Sequence, residues 1–297
     1  MIPFVREIDP AYGQAVAVTP LVRRVTAENP GPFTYLGTGT YIVGHGEVAV
    51  IDPGPDLESH LDALLKAVDG ETVTAILTTH THSDHSPLSH ALAERVGERS
   101  GRPPIYGRKD PMVGSSEAAS DTAFRPDIEI ADGQRVSGPG WTLEAVATPG
   151  HASNHVCYAL IEENLLFSGD HVMGWSTTVV SPPDGDMTDY YASLAKVEAR
   201  GFALLVPTHG PPVTEVAPFL AAYRDHRLDR ERQILAELAN GPRRINEMVP
   251  VMYAAVDPRL HPAASRSVLA HLIHLERTGA VTSRDGSGPN SVYQLAQ

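Results

Sequence analysis

Apolar and β-branched residues gather in short runs at 15–27, 34–43 and 47–51, separated by Gly and Pro clusters, which predicts strands joined by turns. The third run ends in Asp52-Pro53-Gly54, a turn signal. Asp56 is expected to cap a helix reaching about residue 68, because Leu57, Leu61, Leu64, Leu65 and Val68 recur on one stripe. A further apolar run at 73–77 comes next. The pattern then predicts a helix over 87–96, short extended pieces at 105–106 and 128–130, and a strand over 141–147. A hairpin (156–161 with 165–168), a helix (186–200) and a short strand (203–206) follow. One long helix spans 218–239 until Asn240-Gly241-Pro242 stops it. Beyond it come helix 245–252, helix 263–278 and a Gly-rich ribbon at 281–295, the order of a winged helix. Two domains are therefore expected, 1–240 with the long helix at its end, and 241–297.

The predicted strands have something in common at their ends. The run at 73–77 leads into T-T-H-T-H-S-D-H-S, which packs His80, His82, Asp84 and His85 into six residues. An extended segment sends alternate side chains to one side, so His80 and His82 can grip one ion, while Asp84 and His85 aim at a neighbouring one. The strand at 141–147 ends in T-P-G-H with His151, the hairpin in G-D-H with Asp170, and the strand at 203–206 in P-T-H-G with His209. Five imidazoles and two carboxylates thus sit at strand ends. Seven donors exceed what one tetrahedral ion takes, so the set implies two.

Composition narrows the chemistry. A single cysteine, Cys157, excludes an intrachain disulfide and a thiolate cluster, and its apolar surroundings make it a buried small hydrophobe. His45, His60, His90 and His226 read as ordinary core or surface residues. The net charge of -13 argues against a broad nucleic-acid-binding surface, although residues 241–297 carry six arginines against four acids. No apolar run has membrane-spanning length, and the start lacks a basic-then-apolar leader, so a cytoplasmic protein is expected. The sequence leaves monomer and homodimer open.

The ligand order H-x-H-x-D-H, then H, then D, then H resembles the metallo-β-lactamase-fold superfamily over residues 15–215. D-H-V-M-G-W-S-T-T-V, the P-T-H-G motif and the helix-plus-winged-helix tail look most like the β-lactamase-like protein 2 family. The resemblance implies an α/β fold, a four-layer αββα sandwich with the site along one edge, followed by the small winged helix. It also implies one zinc on His80, His82 and His151, a second on Asp84, His85 and His209, and Asp170 bridging them. Zinc is the first choice, with iron or manganese as alternatives because no donor is sulfur. The best-known antibiotic-hydrolysing members carry Cys where this chain has Asp170, and do not use the Asp84 equivalent as a ligand. True β-lactamase activity is therefore not expected.

The implied reaction is hydrolysis by a hydroxide shared between the ions, in a site of roughly +1 charge that attracts an anionic or polarised ester. Asp84 would orient that hydroxide. Around it, His155 either meets the substrate or braces the ligands, Thr177 and Thr178 either line the cleft or satisfy a loop, and Tyr190 either caps the cleft or packs. Asp52 is expected to brace the histidine loop. The family resemblance implies endonucleolytic cleavage of single-stranded RNA, with Arg243, Arg244, Arg259, Arg266, Arg277 and Arg284 available to a phosphate backbone. The alternative enzyme is a small-molecule ester or thioester hydrolase of the hydroxyacylglutathione hydrolase type. A reading of another class is a DNA-binding regulator that uses the metal domain as a scaffold.

Overall fold

The computed structural model describes residues 2–109, 120–255 and 257–296. Its first sheet has seven strands lying side by side in chain order: β1 (Ala15–Ala17), β2 (Val22–Thr26), β3 (Gly39–Val43), β4 (Glu47–Ile51), β5 (Thr72–Leu77), β6 (Ile105–Gly107) and β7 (Ile128–Glu129). Short connections make β1 to β4 antiparallel. From β4 onward the pairing is parallel, and α1 (Glu58–Ala67) and α2 (Leu88–Ser100) supply the crossovers from β4 to β5 and from β5 to β6.

The second sheet runs β12-β11-β10-β9-β8, built from β8 (Arg135–Gly138), β9 (Trp141–Ala147), β10 (Val156–Leu160), β11 (Leu165–Gly169) and β12 (Leu204–Pro207). α3 (Met187–Arg200) is the crossover that makes β12 parallel to β11. Between the sheets, Tyr41, Val43 and Ile51 meet Trp141, Leu143, Tyr158 and Phe167 in one buried cluster. The opposite faces are buried too. Ile42, Val48 and Val50 pack under α1 and α2 with Leu61, Leu64 and Leu92, and Cys157, Ala159 and Leu166 pack under α3 and α4 (Val216–Leu238) with Tyr190, Leu194 and Phe219. This is the expected αββα sandwich. Burial on both faces explains why β3 and β10 read as continuous apolar runs instead of alternating ones.

The C-terminal residues form a small three-stranded sheet, β13 (Arg243–Arg244), β15 (Val292–Leu295) and β14 (Val281–Ser283), with α5 (Ile245–Met252) and α6 (His261–Arg277). Its core joins Ile245, Met248, Val268, Leu272 and Tyr293 to Ile234 and Leu238 at the end of α4. Helix and sheet together form the expected winged helix. None of the described helices is long and apolar enough to cross a membrane.

Local expectations fail where a turn overrides a run. The stretch 15–27 is two strands, because Pro20 lies in the break between them. In the next run, β3 starts only at Gly39. Gly37 sits at φ 133°, where a Cβ would lie 2.1 Å from the Ala27 carbonyl oxygen, so the chain is still turning there. Asp56 does not cap α1. A tight turn, in which the Leu57 amide donates to the Pro55 carbonyl, makes Leu57 the capping position, and it offers no side-chain bond. β8 went unpredicted, since R-V-S-G carries a single apolar residue.

Trp141 joins the two sheets. Its indole is 1% exposed and its Nε1–H donates to the Glu47 carbonyl across the sandwich at 2.9 Å. Gly44 and Gly138 make room for it, since a Cβ at either would come within 2.5 Å of the ring. Trp141→Ala is expected to cost about 3–5 kcal/mol through the cavity and the lost bond, read as a lower urea midpoint in equilibrium unfolding.

Candidate metal centre

All seven donors lie on segments that leave β5, β9, β11 and β12 at one edge of the sandwich. β5 ends at Leu77, so His80 and His82 stand on the extended segment beyond it, where His82 bridges to Ser120. Three groupings of donor atoms fall within coordination reach: His80 with His82 and His151, His80 with His85 and Asp170, and Asp84 with His85 and His209. His80 Nε2 lies 2.8 Å from His82 Nδ1, which lies 3.1 Å from His151 Nε2. Ligands at about 2.0–2.1 Å around a tetrahedral ion sit about 3.3 Å apart, so these spacings suit one ion between three rings. On the other side, His209 Nε2 is 3.1 Å and His85 Nε2 3.6 Å from Asp84 Oδ2. Asp170 stands between the groups. Its Oδ2 is 3.6 Å from His151 Nε2, and its Oδ1 is 3.5 Å from His209 Nε2 and 3.7 Å from His85 Nε2.

The outer ring nitrogens are already engaged. His151 Nδ1 meets the Val179 carbonyl at 2.6 Å, and His209 Nδ1 meets the Gly37 carbonyl at 3.1 Å. His80 Nδ1 lies 3.0 Å from Thr79 Oγ1, and His85 Nδ1 2.9 Å from Asp52 Oδ2. Each outer nitrogen is therefore the N–H donor, which leaves a lone pair on the inner one. Three inner atoms, in contrast, lack partners: His85 Nε2, His209 Nε2 and Asp170 Oδ1 are buried without a hydrogen bond. Orphaned buried acceptors are costly, and a cation among them removes that cost. The donor set fits a divalent metal.

Electrostatics agree. Burial lowers His80 well below the usual histidine range and His82 to about 3, helped by the neighbouring imidazoles. Burial also acts against charge on His85 and His209, but Asp84 and Asp170, with Asp52 added at His85, outweigh it and raise both. Desolvation would raise Asp84 and Asp170, yet the imidazoles His85 and His209 hold both low. Two ionised carboxylates thus stand among buried imidazoles behind low-dielectric walls, with His80 and His82 kept neutral, and such a set of anionic and neutral donors suits a cation.

The remaining predicted residues sort by their contacts. Asp52 accepts from the Thr79 amide (2.7 Å), the Thr79 hydroxyl (2.8 Å) and the Thr208 hydroxyl (3.0 Å) as well as from His85. His155 is buried with both nitrogens engaged, one by Thr148 Oγ1 and one accepting from the Asp170 amide, so it braces Asp170 and has no nitrogen left for a substrate. Thr178 and Tyr190 both donate to the His171 carbonyl from within the core, so Tyr190 does not cap the cleft. Thr177 is half-buried beside them. Sequence reasoning missed Thr79, Thr208 and the pair Thr40–His60, whose hydroxyl donates to the Asp52 carbonyl. The T-T before His80 and the T before His209 were the available signals.

Residues 35–209 match the model of the metallo-beta-lactamase superfamily, and residues 245–288 match that of the beta-lactamase associated winged helix domain. The chain is 36% identical over 224 residues to an atrochrysone carboxyl ACP thioesterase of Aspergillus chevalieri, covering 74% of this chain and 67% of that one. It is 31% identical over 296 residues to a beta-lactamase-like protein 2 homolog of Drosophila melanogaster, covering 94% and 98%. A crystal structure of a beta-lactamase domain protein from Burkholderia ambifaria superimposes with TM-score 0.81 at 23% identity, over 99% of this chain and 97% of that one.

Asp52→Asn keeps the shape but puts an amide where four donors now converge. Its expected effect is a 10–100-fold loss of metal affinity with the circular dichroism spectrum preserved, measured by titration against a chromophoric chelator.

Proposed function

Starting from the chain's membership of the metallo-beta-lactamase superfamily, a family of metal-dependent hydrolases, with its associated winged helix at 245–288, we propose that it hydrolyses an ester or thioester with two divalent ions, zinc first. The observation that carries the reading is the Asp170 carboxylate, whose two oxygens face two separate imidazole groups. In this reading His80, His82 and His151 hold one ion, Asp84, His85 and His209 the other, and Asp170 both. When bound, the ions supply a water acidic enough to ionise near neutral pH and a Lewis acid for the substrate oxygen. The chain's own contribution is positional. The Asp84 side chain is 23% exposed and meets His209 and His85 through Oδ2. Its Oδ1 is the oxygen that would orient the attacking water and take its proton. Residues 1–240 form the catalytic unit and 241–297 the winged helix, in a protein of the cytoplasm.

What the winged helix offers supports an ester or thioester over a polyanion. Arg243, Arg259 and Arg277 are paired with Glu237, Asp257 and Asp186. Arg244 donates to the Asn290 carbonyl, and Arg284 to Gln294 Oε1. A set of arginines engaged within the chain is a poor phosphate track, and net charge -13 opposes a polyanion. The relative named as an ACP thioesterase points the same way. The second reading, cleavage of single-stranded RNA, is favoured by the near-complete span of the beta-lactamase-like protein 2 homolog, winged helix included.

The zinc-loaded protein is expected to cleave acyl-thioesters such as S-lactoylglutathione or an acyl-pantetheine, followed by thiol release. Labelled single-stranded RNA run in parallel decides between the readings. Asp84→Ala and His209→Ala should each lower turnover at least about 100-fold, and chelation should abolish it until metal returns. Turnover that survives both substitutions would come from elsewhere.

A further inference from the structure

Arg227, on α4, is 3% exposed, and among the described residues its contacts are a carbonyl and a ring and not a carboxylate. Arginine is almost never buried without an acidic partner, because stripping its hydration is expensive. Here the guanidinium lies 5.1 Å over the Tyr190 ring, its Nη2 donates to the Thr178 carbonyl, and its Nε is buried without a partner. An apolar side chain would pack this position at lower cost, so the carbonyl contact is the feature to explain.

Thr178 precedes Val179, whose carbonyl accepts the Nδ1–H of His151 at 2.6 Å. The loop that contains both begins at Asp170. Between them its backbone is held at three further points: Thr178 Oγ1 and Tyr190 OH both donate to the His171 carbonyl at 2.9 Å. Tyr223 OH receives the Met173 amide at 3.2 Å and lies 2.7 Å from the Met173 carbonyl, with the Ser176 carbonyl also in contact. The loop has no regular secondary structure of its own. Its conformation therefore rests on groups reaching in from α3 and α4, and two ligands of the centre depend on it.

We propose that Arg227 is a positioning residue of the metal centre. By pinning the Thr178 carbonyl, it fixes the peptide that aims the Val179 carbonyl, which in turn sets the tautomer and ring plane of His151. Tyr223 is the second hold on the same loop. The proposal rests on the reading of His151 as a metal ligand.

The test is a cobalt(II) and zinc titration of the full chain, with chelator competition and the visible cobalt spectrum as readouts, on wild type, Arg227→Met, Arg227→Lys and Tyr223→Phe. Arg227→Met should lower affinity about 10-fold or more for one of the two ions and shift the cobalt bands. Arg227→Lys, which keeps a charge and a donor, should recover most of the affinity. A merely structural arginine would lower the unfolding midpoint and leave both metal readouts where they were. Unchanged affinity and spectrum in Arg227→Met, or no recovery in Arg227→Lys, overturns the proposal. If Arg227→Met does not fold, Tyr223→Phe keeps the ring and decides: weaker binding supports the loop's role, and unchanged binding overturns it. A wild-type chain that binds no cobalt or zinc overturns the functional reading together with this one. A wild type that binds metal and turns over thioester, beside an Arg227→Met with unaltered titration, overturns this one alone.

Discussion

The centre depends on one buried carboxylate. Asp52 leaves β4 at φ 48° and takes hydrogen bonds from the amide and hydroxyl of Thr79, from the His85 ring and from the Thr208 hydroxyl. Those donors stand just beyond β5, in the turn before α2 and just beyond β12, so the group ties both sheets together at the edge where the ligands emerge. Four charge-assisted bonds satisfy a carboxylate that would otherwise be expensive to bury. The same bonds set the geometry of His80 through Thr79, of His85 directly, and of His209 through its neighbour Thr208. Its own carbonyl is held by Thr40, which in turn meets His60.

The sandwich supplies what these bonds cannot. Each ligand-bearing segment leaves a largely buried strand, and its freedom is limited to the few residues past the last ladder bond. Gly150 shows how tight the exit is. At φ 137°, a Cβ there would lie 2.4 Å from the Tyr190 backbone, so only glycine lets the chain turn close enough to α3 to present His151. Gly169 does the same before Asp170, where a Cβ would meet the His155 ring at 2.6 Å.

How much of this could be read from the sequence depended on distance along the chain. The donors at 80–85 were legible because four of them fall in six residues, and His151, Asp170 and His209 because each follows an apolar run and sits beside a glycine. Asp52 stood out only through its D-P-G turn. Thr79, Thr208 and Thr40 could not be recognised, since their partner lies 12 to 156 residues away and threonine in a strand-like run is unremarkable. Tyr190 shows the reverse. Its place on a helical stripe fits both a core residue and a rim residue, and only the sheet beneath α3 decides for the core. Asp56 failed as a cap for a local reason, a turn that moved the helix start by one residue.

α4 carries these constraints out to the C-terminal unit. Its first half, with Phe219, Leu220 and Tyr223, belongs to the core beneath α3, and its last turns, with Ile234 and Leu238, belong to the core of the winged helix. Between them Glu231 receives the Tyr191 hydroxyl from α3 at 2.8 Å and meets His271 of α6 at 3.2 Å. His274 reaches Thr188, and Arg277 reaches Asp186, at the start of α3. The winged helix is therefore seated on the same two helices that hold the 171–179 loop. A packed helix passes a displacement to its neighbours instead of absorbing it. The terminal unit is thereby packed onto the helices whose Tyr190, Tyr223 and Arg227 reach the 171–179 loop, next to Asp170 and to the Val179 carbonyl that meets His151.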